Sequence, residues 1–172
     1  MSRVSLEIGS TAPNFEGHTA QGPLKFHQWA GESWSIVFTH PGSSFSKELN
    51  EIAQRLPDIE QRRVKIIGLS RNWPDESSHW TKLLQHYNRQ LGSSRDVQIY
   101  CMKIADDQGT LSSLYGMLSQ RDSNGVASNP NTAFLMDPMK NIRLVLSYPS
   151  FLSTGLTQIL RYIFLCCSQV FT

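Results

Sequence analysis

The sequence predicts an α/β fold, on three observations: short apolar runs each followed by helical periodicity, a later pair of apolar runs split by a turn, and a closing amphipathic segment. Residues 34 to 39, Trp-Ser-Ile-Val-Phe-Thr, are rich in β-branched and aromatic types and are bounded by Gly31 and Pro41-Gly42, which predicts a buried strand. From Ser43 or Ser44 the apolar positions Phe45, Leu49, Ile52, Leu56 and Ile59 recur at helical spacing, with Pro57 expected to bend that helix. Val64 to Ser70 reads as the next strand, and Pro74-Asp75-Glu76 opens a second helix carrying Trp80, Leu83, Leu84 and Tyr87. Strand, helix, strand, helix implies a parallel pair joined by a right-handed crossover. Val97 to Ile104 is a further strand-like run. Thr132 to Met136 and Ile142 to Ser147, split by Asp137-Pro138-Met139-Lys140-Asn141, predict a β-hairpin. Leu156, Ile159, Leu160, Ile163 and Phe164 place a last helix over residues 154 to about 167. Asn14 to Phe26 is read as an opening hairpin and the polar stretch Ser119 to Asn131 as a loop.

A chain of 172 residues, 40% hydrophobic and 17% charged, is long enough to bury one core, so residues 1–172 are expected to form a single domain. The formal charge of +2, with no basic run longer than Arg62-Arg63, excludes the electrostatic footprint of a nucleic-acid binder. The longest apolar stretch, Ile159 to Cys167, is interrupted by Arg161 and falls short of the roughly 20 residues of a membrane span. Met1 to Ile8 carries no secretory apolar core, and the three cysteines, Cys101, Cys166 and Cys167, match neither a zinc site nor a disulfide framework; a cytoplasmic chain without metal or cofactor is the expectation.

A parallel βαβ unit followed by a hairpin and a closing helix resembles the thioredoxin-like arrangement, a central mixed β-sheet flanked by helices. The words of the sequence resemble one family with that fold. Gly9-Ser10-Thr11-Ala12-Pro13-Asn14-Phe15-Glu16 is similar to the opening of the peroxiredoxins (AhpC/TSA family). Gly22-Pro23-Leu24-Lys25-Phe26-His27-Gln28-Trp29 and Gly31-Glu32-Ser33-Trp34 resemble the 1-Cys subfamily. Phe38-Thr39-His40-Pro41, the segment Arg62 to Ser70, Ala105-Asp106-Asp107, Tyr115-Gly116-Met117-Leu118, Arg143 to Pro149 and Gln158-Ile159-Leu160-Arg161 continue the match in order. The resemblance implies thiol-dependent reduction of hydroperoxides in redox homeostasis, a hydroperoxide or lipid-like ligand, and a homodimer formed through sheet edges or helix faces. The subfamily's further C-terminal domain has no counterpart before Thr172.

Peroxide reduction needs a thiolate, favoured by a helix N-terminus and a nearby arginine. In the family motif Pro-x-x-x-Thr-x-x-Cys the threonine orients the peroxide, and a distant arginine supports the sulfur. Here only Pro41 remains: an ungapped count sets Phe45 at the threonine and Glu48 at the cysteine. Aligning Glu48-Leu49 with the family's following Glu-Leu instead removes about three residues, near one helical turn, with the cysteine among them. Counting back from Phe134, Asp137 and Pro138 places Asn131 at the arginine. The resemblance therefore implies a peroxidase family member whose catalytic site is not intact, with His40, Pro41, Ser43, Ser44, Phe45 and Glu48 forming a vestigial turn. The serines are alcohols, read as helix caps, and His40 as a structural hydrogen-bonding residue.

Two other chemistries stay open. Gly31-Glu32-Ser33-Trp34-Ser35 resembles the Gly-x-Ser-x-Gly element of a phospholipase activity proposed for the 1-Cys subfamily. His27 and Ser33 match two of its three members, Met139 sits at the aspartate position, and Asp137 is close by. Turn structure ahead of a strand is the competing reading. The second is a thiol peroxidase using Cys101 or the vicinal Cys166-Cys167, set against their reading as small packed hydrophobes. His79 and His86 share a helix face without a third ligand, and Asp106-Asp107 is read as capping a helix. Apolar residues near Phe151, Leu152 and 163–171 mark either a partner surface or a truncated core. The functional expectation is a peroxiredoxin-like protein of the 1-Cys type, catalytically impaired or inactive, with a non-catalytic interaction module and a serine-dependent lipid hydrolase using Ser33 and His27 as the alternatives.

Overall fold

The alternation of apolar residues is realised as a seven-stranded sheet. The computed structural model describes residues 6–19, 22–39, 55, 59, 61–70, 82, 85–86, 89, 99–104, 110–115, 120–121, 127–128, 131–148, 158–163 and 165. An opening hairpin joins β1 (Glu16–Thr19) to β2 (Gly22–Lys25), and a short helix α1 (Phe26–Ala30) leads into β3 (Ser35–Thr39). Next come β4 (Lys65–Ser70), β5 (Ile99–Ile104) and α2 (Thr110–Leu114). A two-residue ladder, β6 (Gln120–Arg121) and β7 (Ala127–Ser128), precedes the hairpin of β8 (Asn131–Met136) and β9 (Ile142–Tyr148). The strand order is β2-β1-β5-β4-β3-β8-β9. Strands β3, β4 and β5 run parallel, while β8 is antiparallel to β3, β9 to β8 and β1 to β5. This mixed sheet is the thioredoxin-like arrangement that the sequence predicts.

Strand parity divides the core into two layers. Ile36, Phe38, Ile66, Ala133 and Leu135 pack on one face with Val64, Ile59 and the helical residues Ile159, Leu160 and Ile163. Val37, Ile67, Leu69, Phe134 and Met136 point the other way, onto Ala12, Phe15, Phe26, Ala30 and Tyr115. Both faces of β3, β4 and β8 are thus dry, and each large aliphatic side chain removed from water contributes about 1.5–3 kcal/mol. On the second face Phe15 stacks on Phe26 at 4.5 Å, and Tyr115 meets Phe15 and Phe134 edge-on, each at 5.3 Å. The Tyr115 hydroxyl donates to the Pro13 carbonyl at 3.0 Å, and burial raises its pKa well above the ordinary phenol range.

Several details depart from the sequence expectation. The stretch read as a loop, Ser119 to Asn131, contains the β6–β7 ladder, in which Gln120 pairs with Ser128 and Arg121 with Ala127, and its last residue already opens β8. Trp34 and Val64 lie just outside β3 and β4, and Tyr148 extends β9. Helix α1 had no local signal: its first-turn amide, His27 N, is capped by Asn14 Oδ1 at 2.9 Å from across the hairpin. The opening hairpin, β5, the β8–β9 hairpin and the apolar stripe 159, 160, 163 appear as expected. Most of the helix from Ser43 to Glu60, its bend at Pro57, the start at Pro74, Asp106-Asp107, Phe151 and Leu152 lie outside the described residues.

In the parallel pairing of β3 with β4, Phe38 stands opposite Gly68. A Cβ at position 68 would stand 2.8 Å from both Cε2 and Cζ of the Phe38 ring, so the ring fills the space a side chain would need. Gly68→Ala is expected to lower stability by about 1–3 kcal/mol, read as a lower urea midpoint, and adding Phe38→Leu should return part of the loss.

Candidate functional site

Parallel strands deliver their connecting loops to one end of a sheet, the end where open α/β sheets bind ligands. Here that end is the carboxyl terminus of β3, β4 and β5, with Thr39 its last β3 residue. Because β8 runs against β3, with Phe38 opposite Ala133, its first residues lie at the same end. Asn131 is two positions ahead of Ala133 and pairs with Tyr148 in β9. The sheet register thus brings the head of β8 beside the strand that leads into residues 40–48. His40, Pro41, Ser43, Ser44, Phe45 and Glu48 lie outside the described residues, as do Cys166 and Cys167; Cys101 is in the middle of β5.

The opposite end of the sheet gathers the second candidate set. His27 is in α1, Ser33 in the turn after it, and Asp137 begins the β8–β9 turn. His27 Nε2 lies 2.8 Å from the Ala12 carbonyl oxygen. A carbonyl only accepts, so Nε2 carries the proton and Nδ1 is the free lone pair in the neutral ring. Asp137 is buried, but its Oδ2 receives Arg143 Nε at 2.8 Å, and its Oδ1 receives the Asn141 amide at 2.9 Å. Ser33 is held through its backbone amide to Ala30 O at 3.1 Å. No hydrogen bond joins His27 to Ser33 or to Asp137. A serine nucleophile needs a base within hydrogen-bond reach that is itself oriented by a third group; His27 makes no hydrogen bond to Ser33, and Asp137 is committed to Arg143 and Asn141.

What these residues do together is hold backbone. Four carbonyls at and just past the end of α1 are taken up: His27 O by the Gly31 amide, Trp29 O by Lys65 Nζ at 2.6 Å, Ala30 O by the Ser33 amide and Gly31 O by Lys140 Nζ. Gly31 caps the helix at φ 54, a conformation suited to glycine. Lys65 Nζ also stands 5.7 Å over the Trp29 ring. Asn14, Lys65, Lys140 and Arg143 were not singled out from the sequence. The one available signal was the Asp137 to Arg143 separation across a hairpin turn. Among the described residues no group of three His, Cys, Asp or Glu side chains could hold a metal ion, and no helix is long and apolar enough to cross a membrane.

Comparison with known proteins places this frame. The family model described as "AhpC/TSA family" matches residues 8–145. The chain belongs to the AhpC/TSA family. Among curated proteins it is 32% identical over 163 residues to peroxiredoxin-6 of Gallus gallus and 31% identical over 164 residues to that of Homo sapiens, covering 92% of this chain and 71% of each relative. The yeast mitochondrial 1-Cys peroxiredoxin, solved in a study of its thiol resolving mechanism, matches with a TM-score of 0.66 at 31% identity, covering 92% of this chain and 75% of that one. A cysteine-to-serine variant of the peroxiredoxin 6 of Arenicola marina gives a TM-score of 0.68 at 29% identity, covering 92% and 72%. This AhpC/TSA chain is of the 1-Cys peroxiredoxin type.

If the Asp137 carboxylate serves the turn and not a catalytic base, its removal shows as lost stability. Asp137→Ala is expected to cost about 1–3 kcal/mol in chemical denaturation, the low end applying because the Arg143 guanidinium is half exposed.

Proposed function

We propose that this peroxiredoxin-like protein keeps its family's frame without its family's turnover, and acts as a cytoplasmic binding or interaction module. One observation carries the reading: the segment Thr39-His40-Pro41-Gly42-Ser43-Ser44-Phe45-Ser46-Lys47-Glu48 contains no cysteine, and the chain's three cysteines are elsewhere, at 101, 166 and 167. A hydroxyl cannot replace the sulfur, because the reaction passes through a sulfenic acid that only a thiolate forms. Asparagine at 131 supports the same reading, since it brings no positive charge to the head of β8 beside the end of β3. A hydroperoxide or lipid-like molecule is the ligand class the family resemblance favours, bound and not reduced.

Peroxide consumption with a thiol reductant decides the matter. The unmodified chain is expected to match the rate of reductant alone, while the triple variant Phe45→Thr, Glu48→Cys, Asn131→Arg gains turnover. Catalytic consumption by the unmodified chain overturns the proposal, and a sulfenic-acid probe would then name the cysteine responsible. The hydrolase alternative calls for stoichiometric modification of Ser33 by a fluorophosphonate; with no hydrogen bond from His27 to Ser33 and with Asp137 held by Arg143 and Asn141, none is expected.

The sheet edges support a homodimer as part of this reading. Strand β2 is short and carries Pro23, which protects an edge. Strand β9 is a seven-residue edge whose one charged residue, Arg143, is already paired with Asp137. Such an edge suits antiparallel pairing with a second copy. Light scattering at micromolar concentration is expected to give twice the chain mass of 19.5 kDa, and a monomer would remove the dimer from the proposal.

A further inference from the structure

Lys140 occupies a backbone conformation that its residue type disfavours. Its φ is 66°, in the left-handed region where a Cβ meets the following carbonyl and where glycine or asparagine usually stands. Asparagine is in fact the next residue, Asn141, yet the lysine takes the strained position. An outlier of this kind asks what the surrounding contacts gain from it.

Those contacts reach three separate stretches of chain. Through its amide Lys140 donates to Asp137 O at 2.8 Å and closes its own turn. Through its carbonyl it accepts from Ala12 N at 2.8 Å, within a strip where Gly9 N also donates to Ile142 O and Ile142 N to Ser10 O. Through its ammonium it donates to Pro138 O and to Gly31 O, the latter in the connection between α1 and β3. Gly31 O lies at the carboxyl end of α1, where carbonyls lack partners within the helix and a positive charge is favoured. The left-handed turn is what lets one side chain reach back to Pro138 and across to Gly31 while its backbone faces the N-terminal strip.

We propose that the Lys140 ammonium is a charge-dependent latch, which makes the 137–141 turn, the 9–12 strip and the 31–34 connection open and close as one unit. An uncharged side chain at 140 supplies no ammonium for the two carbonyls. The turn then keeps the strained conformation without the contacts that hold it.

Residue-resolved hydrogen exchange of the native chain tests this at three amides, Ala12, Ser33 and Asn141, whose acceptors are Lys140 O, Ala30 O and Asp137 Oδ1. In Lys140→Met all three are expected to exchange about tenfold faster and in step, with the β3 and β4 amides of Val37 and Ile67 unchanged, as for a local opening. Lys140→Arg keeps the charge and should exchange like the unmodified chain. Lys140→Gly separates the latch from backbone strain, because glycine relaxes the left-handed turn while removing the ammonium. Acceleration of the three amides together in this variant supports the latch. Exchange as slow as in the unmodified chain, or slower, overturns it. Acceleration confined to one segment in Lys140→Met overturns the coupling.

Discussion

Strand β3 is hydrogen-bonded on both sides, parallel to β4 and antiparallel to β8, and the remaining elements take their places from that double pairing. Its alternate residues feed two different cores, Ile36 and Phe38 into one and Val37 into the other, so a slip of one residue would exchange the layers. The parallel contact to β4 requires a long crossover and the antiparallel contact to β8 brings a hairpin, which together give the mixed sheet. Pairing also decides which loops meet. The end of β3 and the head of β8 come to one end of the sheet, and α1 and the β8–β9 turn to the other.

The two ends carry different chemistry for a physical reason. At the far end the backbone is irregular, with a five-residue helix, a left-handed turn and a strip of bridge-like pairing at Thr11 and Asn141. Its exposed carbonyls need donors, and long cationic side chains supply them: Lys65 from β4, Lys140 from the turn. The polar residues there are absorbed in satisfying backbone groups. A histidine, a serine and an aspartate near one another in such a place have structural tasks that compete with catalysis, and His27 and Asp137 perform them.

How much of this was legible follows from where each interaction partner lies. Strands β3, β4, β8 and β9 were readable because their apolar alternation is intrinsic to the local sequence. The stripe Ile159, Leu160, Ile163 was readable for the same reason at helical period. Helix α1 was not, because its cap, Asn14, and its anchoring lysines, 65 and 140, are distant in sequence. The β6–β7 ladder, two residues on each side, is too short to carry a pattern. For the candidate sites, the spelling of Gly31-Glu32-Ser33 and of His27 was visible, whereas the partners of His27 and Asp137 are set by tertiary approach. The family words were legible because most of them spell packing and turn residues.

The Phe38 ring lies against Gly68 one residue before β3 ends, so the point at which the chain leaves the sheet toward residues 40–48 is set by a contact between a benzyl group and a bare backbone. Selection for folding alone preserves that contact, whatever becomes of the chemistry beyond it. The packing that aims the chain out of the sheet is thus separate from the chemistry of the residues it leads to.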